Sequence, residues 1–280
     1  MGKMSLARQA LDRIGKNWSK AKQTREKLLS NVSQFAQFIE NSYHLERIEN
    51  LKPRMITAYA ADMAAQGLSA STRANRMTAV REVCSAIGKQ GICSKDNMAY
   101  GIERIRVNPQ PVDQDKLAEI RGVLVERAAA GNRVALMMVA ADALRDAFGL
   151  RAKESVMSSG IVIKGGKEYL SVEGAKGGRP RLLPIDSDKK AEAIRLVQET
   201  AKTLGSGTGR VIPPELSLQQ AYDAQRNRWA ALGGIRAFGA NQHGERHVHA
   251  REMKSEGASK AEIMADLGHG EDRSPASYGV

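Results

Sequence analysis

Six side chains in the second half of the chain have the types and the order needed to act on a phosphodiester. His243 and Arg246 form His-x-x-Arg, His269 closes the run Leu267-Gly268-His269, and Tyr278 lies nine residues further on. Upstream stand Arg151, which follows an apolar stretch and Gly149-Leu150, and Lys176, within the glycine-rich GAKGGRPR. Two arginines can fork onto non-bridging phosphate oxygens and stabilise the charge that builds there. Histidines and a lysine can carry protons. A phenol, once its proton is removed, is a nucleophile for phosphorus. Such a set requires neither a metal nor an organic cofactor.

Taken singly, each residue has a plainer meaning. Arg151 could pair with Glu154. Lys176, Arg179 and Arg181 make a basic hairpin tip suited to phosphate contact. His243 and Arg246, three apart, share a face of any helix that holds them. His269, after a helix-ending glycine, could answer the helix dipole. Tyr278 could be an exposed tail residue. His247 and His249 add two imidazoles near His243, but no carboxylate or cysteine stands at a usual zinc spacing, so no metal site is expected. The joint occurrence, in type, order and local context, points to phosphoryl chemistry.

The elements that must position these residues can be read from periodicity. Residues 1–107 read as helical. Leu28, Leu29, Val32, Phe35, Ala36 and Ile39 recur at three and four within 24–40. Pro53 opens a helix that runs to Gly67, and Ser69 starts a third that ends at Gly88. That third helix carries Arg73 and Arg76, expected as phosphate contacts. The two prolines and missing apolar period near 108–114 mark a linker. From 115 onward helix and strand mix. Helices are expected over 115–130, 134–147, 188–204, 217–232, 243–254 and 259–267, the last opened by a Ser259-x-x-Glu262 capping box. IVIK, KEYLSV and LLPI, separated by glycine-containing turns, read as a three-stranded antiparallel meander. The expectation is therefore a mainly α protein with a small antiparallel β-sheet, built as a helical domain (1–107), a linker (108–114) and an α+β domain (115–280).

The charge names the partner. The 280 residues hold 43 Lys and Arg against 31 Asp and Glu, a formal net charge of +12. Such an excess favours a polyanion. Aromatic residues make up only 4%, too few for a stacking platform on single strands, so duplex DNA held through phosphates fits better. No apolar run approaches the ~18 residues of a membrane helix, and the basic, mixed N-terminus lacks a signal-peptide core. A cytoplasmic protein, with Cys84 and Cys93 as reduced thiols, is expected.

On Gly149-Leu150-Arg151-Ala-Lys-Glu154, Lys176, His243-Gly-Glu-Arg246-His247, Leu267-Gly268-His269 and Tyr278, the chain resembles the tyrosine recombinases of the phage-integrase family. The resemblance spans 112–280 as the catalytic domain and, more loosely, the preceding helices as a SAM-like core-binding domain, including Leu-Ser-x-Ser-Thr at 68–72. It implies a clamp around duplex DNA and a homotetramer joining two sites on a mobile element. Accessory DNA-bending or directionality factors and a nucleoid location go with it. It implies that Arg151 and Arg246 hold the scissile phosphate, that Lys176 is the general acid and His243 the general base, and that His269 hydrogen-bonds the phosphate. Tyr278 would form a 3′-phosphotyrosyl link. Arg73, Arg76, Arg179 and Arg181 would contact DNA. Two positions depart from the family pattern. Glu245 and Ser155 stand where apolar residues are usual, and Glu245 is expected either to weaken the phosphate clamp or to face solvent. A type IB topoisomerase-like enzyme shares the chemistry, and a non-cutting DNA-binding regulator or decayed integrase is the alternative of a different class.

Overall fold

A computed structural model describes residues 4–15, 22–104, 111–174 and 179–269. The chain divides into two compact units, residues 1–106 and 107–280. Helix predominates, and the strands form one small sheet.

The first unit is helical. It comprises α1 (Leu6–Ile14), α2 (Lys22–Tyr43), α3 (Pro53–Ala65) and α4 (Ala70–Ala86). Its boundaries follow local chemistry. Ser5 and Ser69 cap α1 and α4 by accepting the backbone N–H three residues on, and Pro53 sits where its missing N–H costs nothing. The apolar stripe read from the sequence is the buried one. Val32, Phe35, Ala36 and Ile39 of α2 meet Ile56, Tyr59 and Met63 of α3 and Met77, Val80 and Val83 of α4. Phe35 and Phe38 pack on the Tyr59 ring with centroids 5.1 and 5.3 Å apart. Pairs in that range are favourable beyond their area.

The second unit begins with α5 (Gln114–Ala129) and α6 (Arg133–Phe148), followed by a short α7 (Ala152–Met157). Strands β1 (Gly160–Lys164), β2 (Lys167–Val172) and β3 (Arg181–Pro184) form an antiparallel sheet in that order. Ile161 pairs with Leu170, and Leu170 with Leu183. Helices α8 (Asp188–Leu204), α9 (Leu218–Ala231), α10 (Gly244–Ser255) and α11 (Lys260–Leu267) complete it. The apolar α6 is central and packs against α5, α7, α8, α9 and α10. Met137, Met138, Leu144 and Phe148 of α6 meet Leu117, Leu124, Leu170, Leu183, Val197 and Trp229 in one core. Each fully buried side chain of this kind contributes about 1.5–3 kcal/mol. Trp229 satisfies its indole by donating to the Ala240 carbonyl at 2.8 Å.

Two helix ends shape the site. Gly149 caps α6 in the left-handed region (φ 59°), and a Cβ there would run into the His249 imidazole. Gly268 caps α11 likewise (φ 62°), and a Cβ there would meet the Arg181 guanidinium. Glycine alone satisfies both the backbone conformation and the close approach. The capping box of α11 forms as read: Ser259 and Glu262 each accept the other's backbone N–H. The short α7 lies where no helix was read. Glu154 at its third position accepts the backbone N–H of Arg151 at 3.0 Å, one half of a capping box, and so turns the chain after Gly149-Leu150 back into helix. No helix among the described residues is long and apolar enough to cross a membrane.

Candidate active site

The C-terminal end of α6 with the start of α7, the N-terminal end of α10 and the C-terminal end of α11 converge. The α6–α7 junction presents Arg151. Leu150 beside it is buried and anchors the turn, while the Arg151 side chain stays 25% exposed. Its Nη1 donates to Glu154 Oε1 at 2.7 Å. Glu154 is buried and also accepts from Arg181 Nη2 at 3.1 Å. Burial alone would raise the Glu154 carboxyl. The Arg181 hydrogen bond and charge, with the Arg151 amide and charge, outweigh it and hold the group at about 2. Because this lies below the ordinary 4.5, the ionised pair stabilises the fold above that pH, and the stabilisation is lost as pH falls from 4.5 towards 2. Glu154→Gln is accordingly expected to lower stability at pH 7 by about 2 kcal/mol. In urea melts across pH, the gap between wild type and variant should stay level down to about pH 5 and close below it. A gap independent of pH would show that the charge of Glu154 contributes nothing.

Arg246, on the first turn of α10, is wholly buried. Its Nη1 donates to the Gly149 carbonyl at 2.7 Å, and its Nη2 donates to the Leu267 carbonyl and meets His269 Nε2 at 3.0 Å. One guanidinium thus ties the end of α6 to the end of α11. A guanidinium only donates, so His269 Nε2 is the acceptor, and a neutral His269 ring carries its proton on Nδ1. Burial, then the charges of Arg246, Arg151 and Arg181, depress His269 to about 4. The ring is neutral at physiological pH.

His243 is the N-cap residue of α10, and its backbone N–H donates to Asn241 Oδ1 at 3.0 Å. It is exposed, and its imidazole stands edge-on to His247, with centroids 5.1 Å apart. Desolvation on its inner side, then the charges of His247, Arg246, Arg151 and His269, hold it below the ordinary histidine value. A neutral imidazole beside two guanidinium groups is able to accept a proton. His249 points the other way. Its Nε2 meets Asp266 Oδ1 at 2.9 Å, and the Asp266 carbonyl accepts from Arg181 Nε at 2.6 Å. His249 and Arg181 therefore brace α11 against α10 and β3.

Four of the residues singled out from the sequence, Arg151, His243, Arg246 and His269, come together at this junction. Lys176 and Tyr278 lie outside the described residues. Arg179 is exposed just ahead of β3. Arg181, read with it as a DNA contact, turns inward: its side chain is 7% exposed and engages Glu154 and Asp266. Arg73 and Arg76 are half-buried on α4 of the first unit, where Arg76 lies beside Tyr59. Glu245 does not face solvent. It is 2% exposed and bound by Arg145 and Arg121. Arg145 and Asp142 carry one signal in the sequence, a charge pair three apart inside an apolar helix. Among the described residues, no three His, Cys, Asp or Glu side chains could together hold a metal ion.

The phage integrase N-terminal family matches residues 1–93. The tyrosine recombinase XerD of Rhizobium meliloti (strain 1021) is 24% identical over 223 residues, covering 76% of this chain and 71% of the relative. The tyrosine recombinase XerD of Caulobacter vibrioides is 27% identical over 247 residues, covering 83% and 77%. Over most of its length the chain is similar to tyrosine recombinases. The chain shares its fold with a lambda integrase tetramer bound to a Holliday junction (TM-score 0.69, 16% identity, 96% of this chain and 76% of that one). A XerH site-specific recombinase in a pre-cleavage complex is similar at a TM-score of 0.62, with 14% identity over 90% of this chain and 74% of that one. The family match on residues 1–93 falls in the helical first unit, and the arginine–histidine junction lies in the second.

Proposed function

We propose that this chain is a tyrosine recombinase that cuts and rejoins duplex DNA at specific sites through a 3′-phosphotyrosyl intermediate. The carrying observation is the junction itself, where two guanidinium groups and two neutral imidazoles face one another at three helix ends. Arg151 and Arg246 hold the non-bridging oxygens of the scissile phosphate. His243 takes the proton of the Tyr278 hydroxyl as the phenolate oxygen attacks phosphorus. The bond from phosphorus to the 5′ oxygen breaks, and Lys176 protonates the departing 5′ oxygen. His269 donates to a non-bridging oxygen. The phosphotyrosyl bond preserves the free energy of the phosphodiester, so attack by the 5′ hydroxyl of a second strand reverses the step and frees Tyr278.

The helical first unit, residues 1–107 in the sequence reading, serves as the core-type DNA-binding domain, joined through 108–114 to the catalytic domain at 115–280. Arg73, Arg76 and Arg179 contribute phosphate contacts, consistent with the net charge of +12. Arg181 supports the site from behind by orienting Glu154. A tetramer on two DNA sites, assisted by accessory DNA-bending or directionality factors, would integrate or excise a mobile element in the cytoplasm, at the nucleoid.

The test is covalent capture. The protein is incubated, without metal or nucleotide, with nicked suicide duplexes spanning the ends of its resident mobile element. A denaturant-resistant protein–DNA adduct supports the proposal. Specific binding with no adduct would make the chain a non-cutting DNA-binding protein. Relaxation of supercoiled plasmid with no joining of two sites would place it with the type IB topoisomerases.

A further inference from the structure

Beneath the phosphate-facing residues lies a buried ionic network centred on Arg145. Its guanidinium is wholly enclosed and carries four directed interactions. Nε donates to Glu245 Oε2 at 2.7 Å, Nη2 to Asp142 Oδ1 at 2.6 Å and Nη1 to Ser155 Oγ at 3.4 Å. Nη1 also donates to the Gln225 amide oxygen, with the amide oriented as its neighbours require, and the Gln225 nitrogen then donates to the Ala152 carbonyl at 3.3 Å. The group lies over the Trp229 ring, 5.0 Å from its centroid. The second oxygen of Glu245 accepts from Arg121 Nη2 at 2.6 Å, and Arg121 Nε donates to Asp142 Oδ2 at 2.8 Å. Five helices, α5, α6, α7, α9 and α10, thus meet on two guanidinium groups.

Stability does not explain such a cluster. Removing a charge from water costs several kcal/mol, and well-packed apolar side chains in its place are often as stable or more so. Charged, forked hydrogen bonds contribute direction, which apolar packing does not. The directions here are informative. Arg145 stands two turns before Arg151 on the chain segment that presents it. Ser155 belongs to the helix that Arg151 caps, and Glu245 adjoins Arg246. The helix dipole further favours the Glu245 carboxylate at the start of α10.

We propose that Arg145 and Glu245 are a positioning pair whose buried bond fixes Arg151 relative to Arg246 and thereby sets the rate of strand cleavage without touching DNA. This rests on the recombinase reading above. A displacement of about 1 Å in a catalytic group can cost about 10²-fold in rate, and a bond between α6 and α10 opposes that displacement. The pair also carries a proton equilibrium. Burial and the Asp142 carboxylate raise the Glu245 carboxyl above its ordinary value, while Arg145, Arg121 and, at the edge, Asp146 complete the charges that face it. Protonation removes the charge of Glu245, so acid weakens the bond.

The experiment is single-turnover cleavage of a suicide duplex at saturating protein, with the dissociation constant measured separately, for wild type and Glu245→Gln. The variant is expected to cleave roughly 10–100-fold more slowly with binding within about threefold of wild type. The wild-type rate should rise with pH through the Glu245 ionisation, and the variant should lose that rise. Arg121→Gln, at the partly exposed rim, is the milder variant. It should slow cleavage in the same direction with binding unchanged, and it decides the matter if Glu245→Gln does not fold. Wild-type rates in these variants, parallel losses of binding and rate, or an intact pH rise in Glu245→Gln would each overturn the proposal. Absence of any adduct with wild-type protein would instead overturn the recombinase reading.

Discussion

Arg246→Lys is expected to lower single-turnover strand cleavage by roughly 10³-fold, the scale seen when a preorganised donor to a developing oxyanion is removed. The reason lies in geometry more than in charge. Arg246 is buried, and its two terminal nitrogens serve the Gly149 carbonyl, the Leu267 carbonyl and His269 Nε2. A planar fork can hold these and still present N–H groups to a phosphate, whereas a lysine is a point charge with three donors on a flexible stem. Lysine leaves at least one buried carbonyl unsatisfied, at about 1–3 kcal/mol. It also releases His269 from its tautomer. Both effects are measurable together. The melting temperature should fall, and cleavage at saturating DNA should fall by far more than the lost folded fraction accounts for. A variant cleaving within about tenfold of wild type would show that Arg246 is a structural tie between α6 and α11 and not part of the phosphate clamp.

Tyr278→Phe should have the larger effect, because it removes one oxygen and leaves nothing in its place to bond phosphorus. Loss of a nucleophile of this kind costs about 10⁴-fold or more. No denaturant-resistant adduct should form on any suicide duplex, while the dissociation constant for the site stays unchanged. The pairing of the two results carries the argument. Lost capture with intact binding assigns the phenol to the chemistry. Capture that survives in the variant would place the nucleophile on another residue.

Much of the fold was legible because short-range chemistry dictates it. The capping box at Ser259 and Glu262, the apolar stripe of α2 and the strand–glycine–strand pattern of the sheet each need only a few adjacent residues. Helix α7 escaped because six residues are too few to show a period, and its signal, Glu154 three after Arg151, was read as an ion pair alone. The site divides in the same way. Arg151, His243, Arg246 and His269 could be named because each stands beside a helix terminus that the sequence announces. Their convergence could not be read, since it depends on Arg246 reaching two carbonyls 97 and 21 residues away. Charge was the chief source of misreading. Glu245 was expected to burden the clamp or face solvent, yet it is buried between Arg145 and Arg121. Periodicity treats every charge as a surface residue, and only the partners, distant in sequence, reveal a buried one. Arg181 shares a basic run with Arg179, but it opens β3 and is drawn inward by Glu154 and the Asp266 carbonyl, while Arg179 precedes the strand.

If the junction receives a phosphate, as proposed, the depressed histidines should couple DNA binding to protons. Burial first, and then the positive charge of the arginines around them, holds His269 and His247 near 4. A phosphate entering the junction brings the opposite charge, so the proton affinity of these rings must rise when DNA arrives. Linkage is reciprocal: if binding DNA draws in protons, acid tightens DNA. Calorimetric titrations in buffers of different ionisation enthalpy should therefore register net proton uptake on binding of a site duplex. The dissociation constant should decrease as pH falls from 7 towards 5, and a heat independent of buffer would show that the imidazoles do not sense the phosphate.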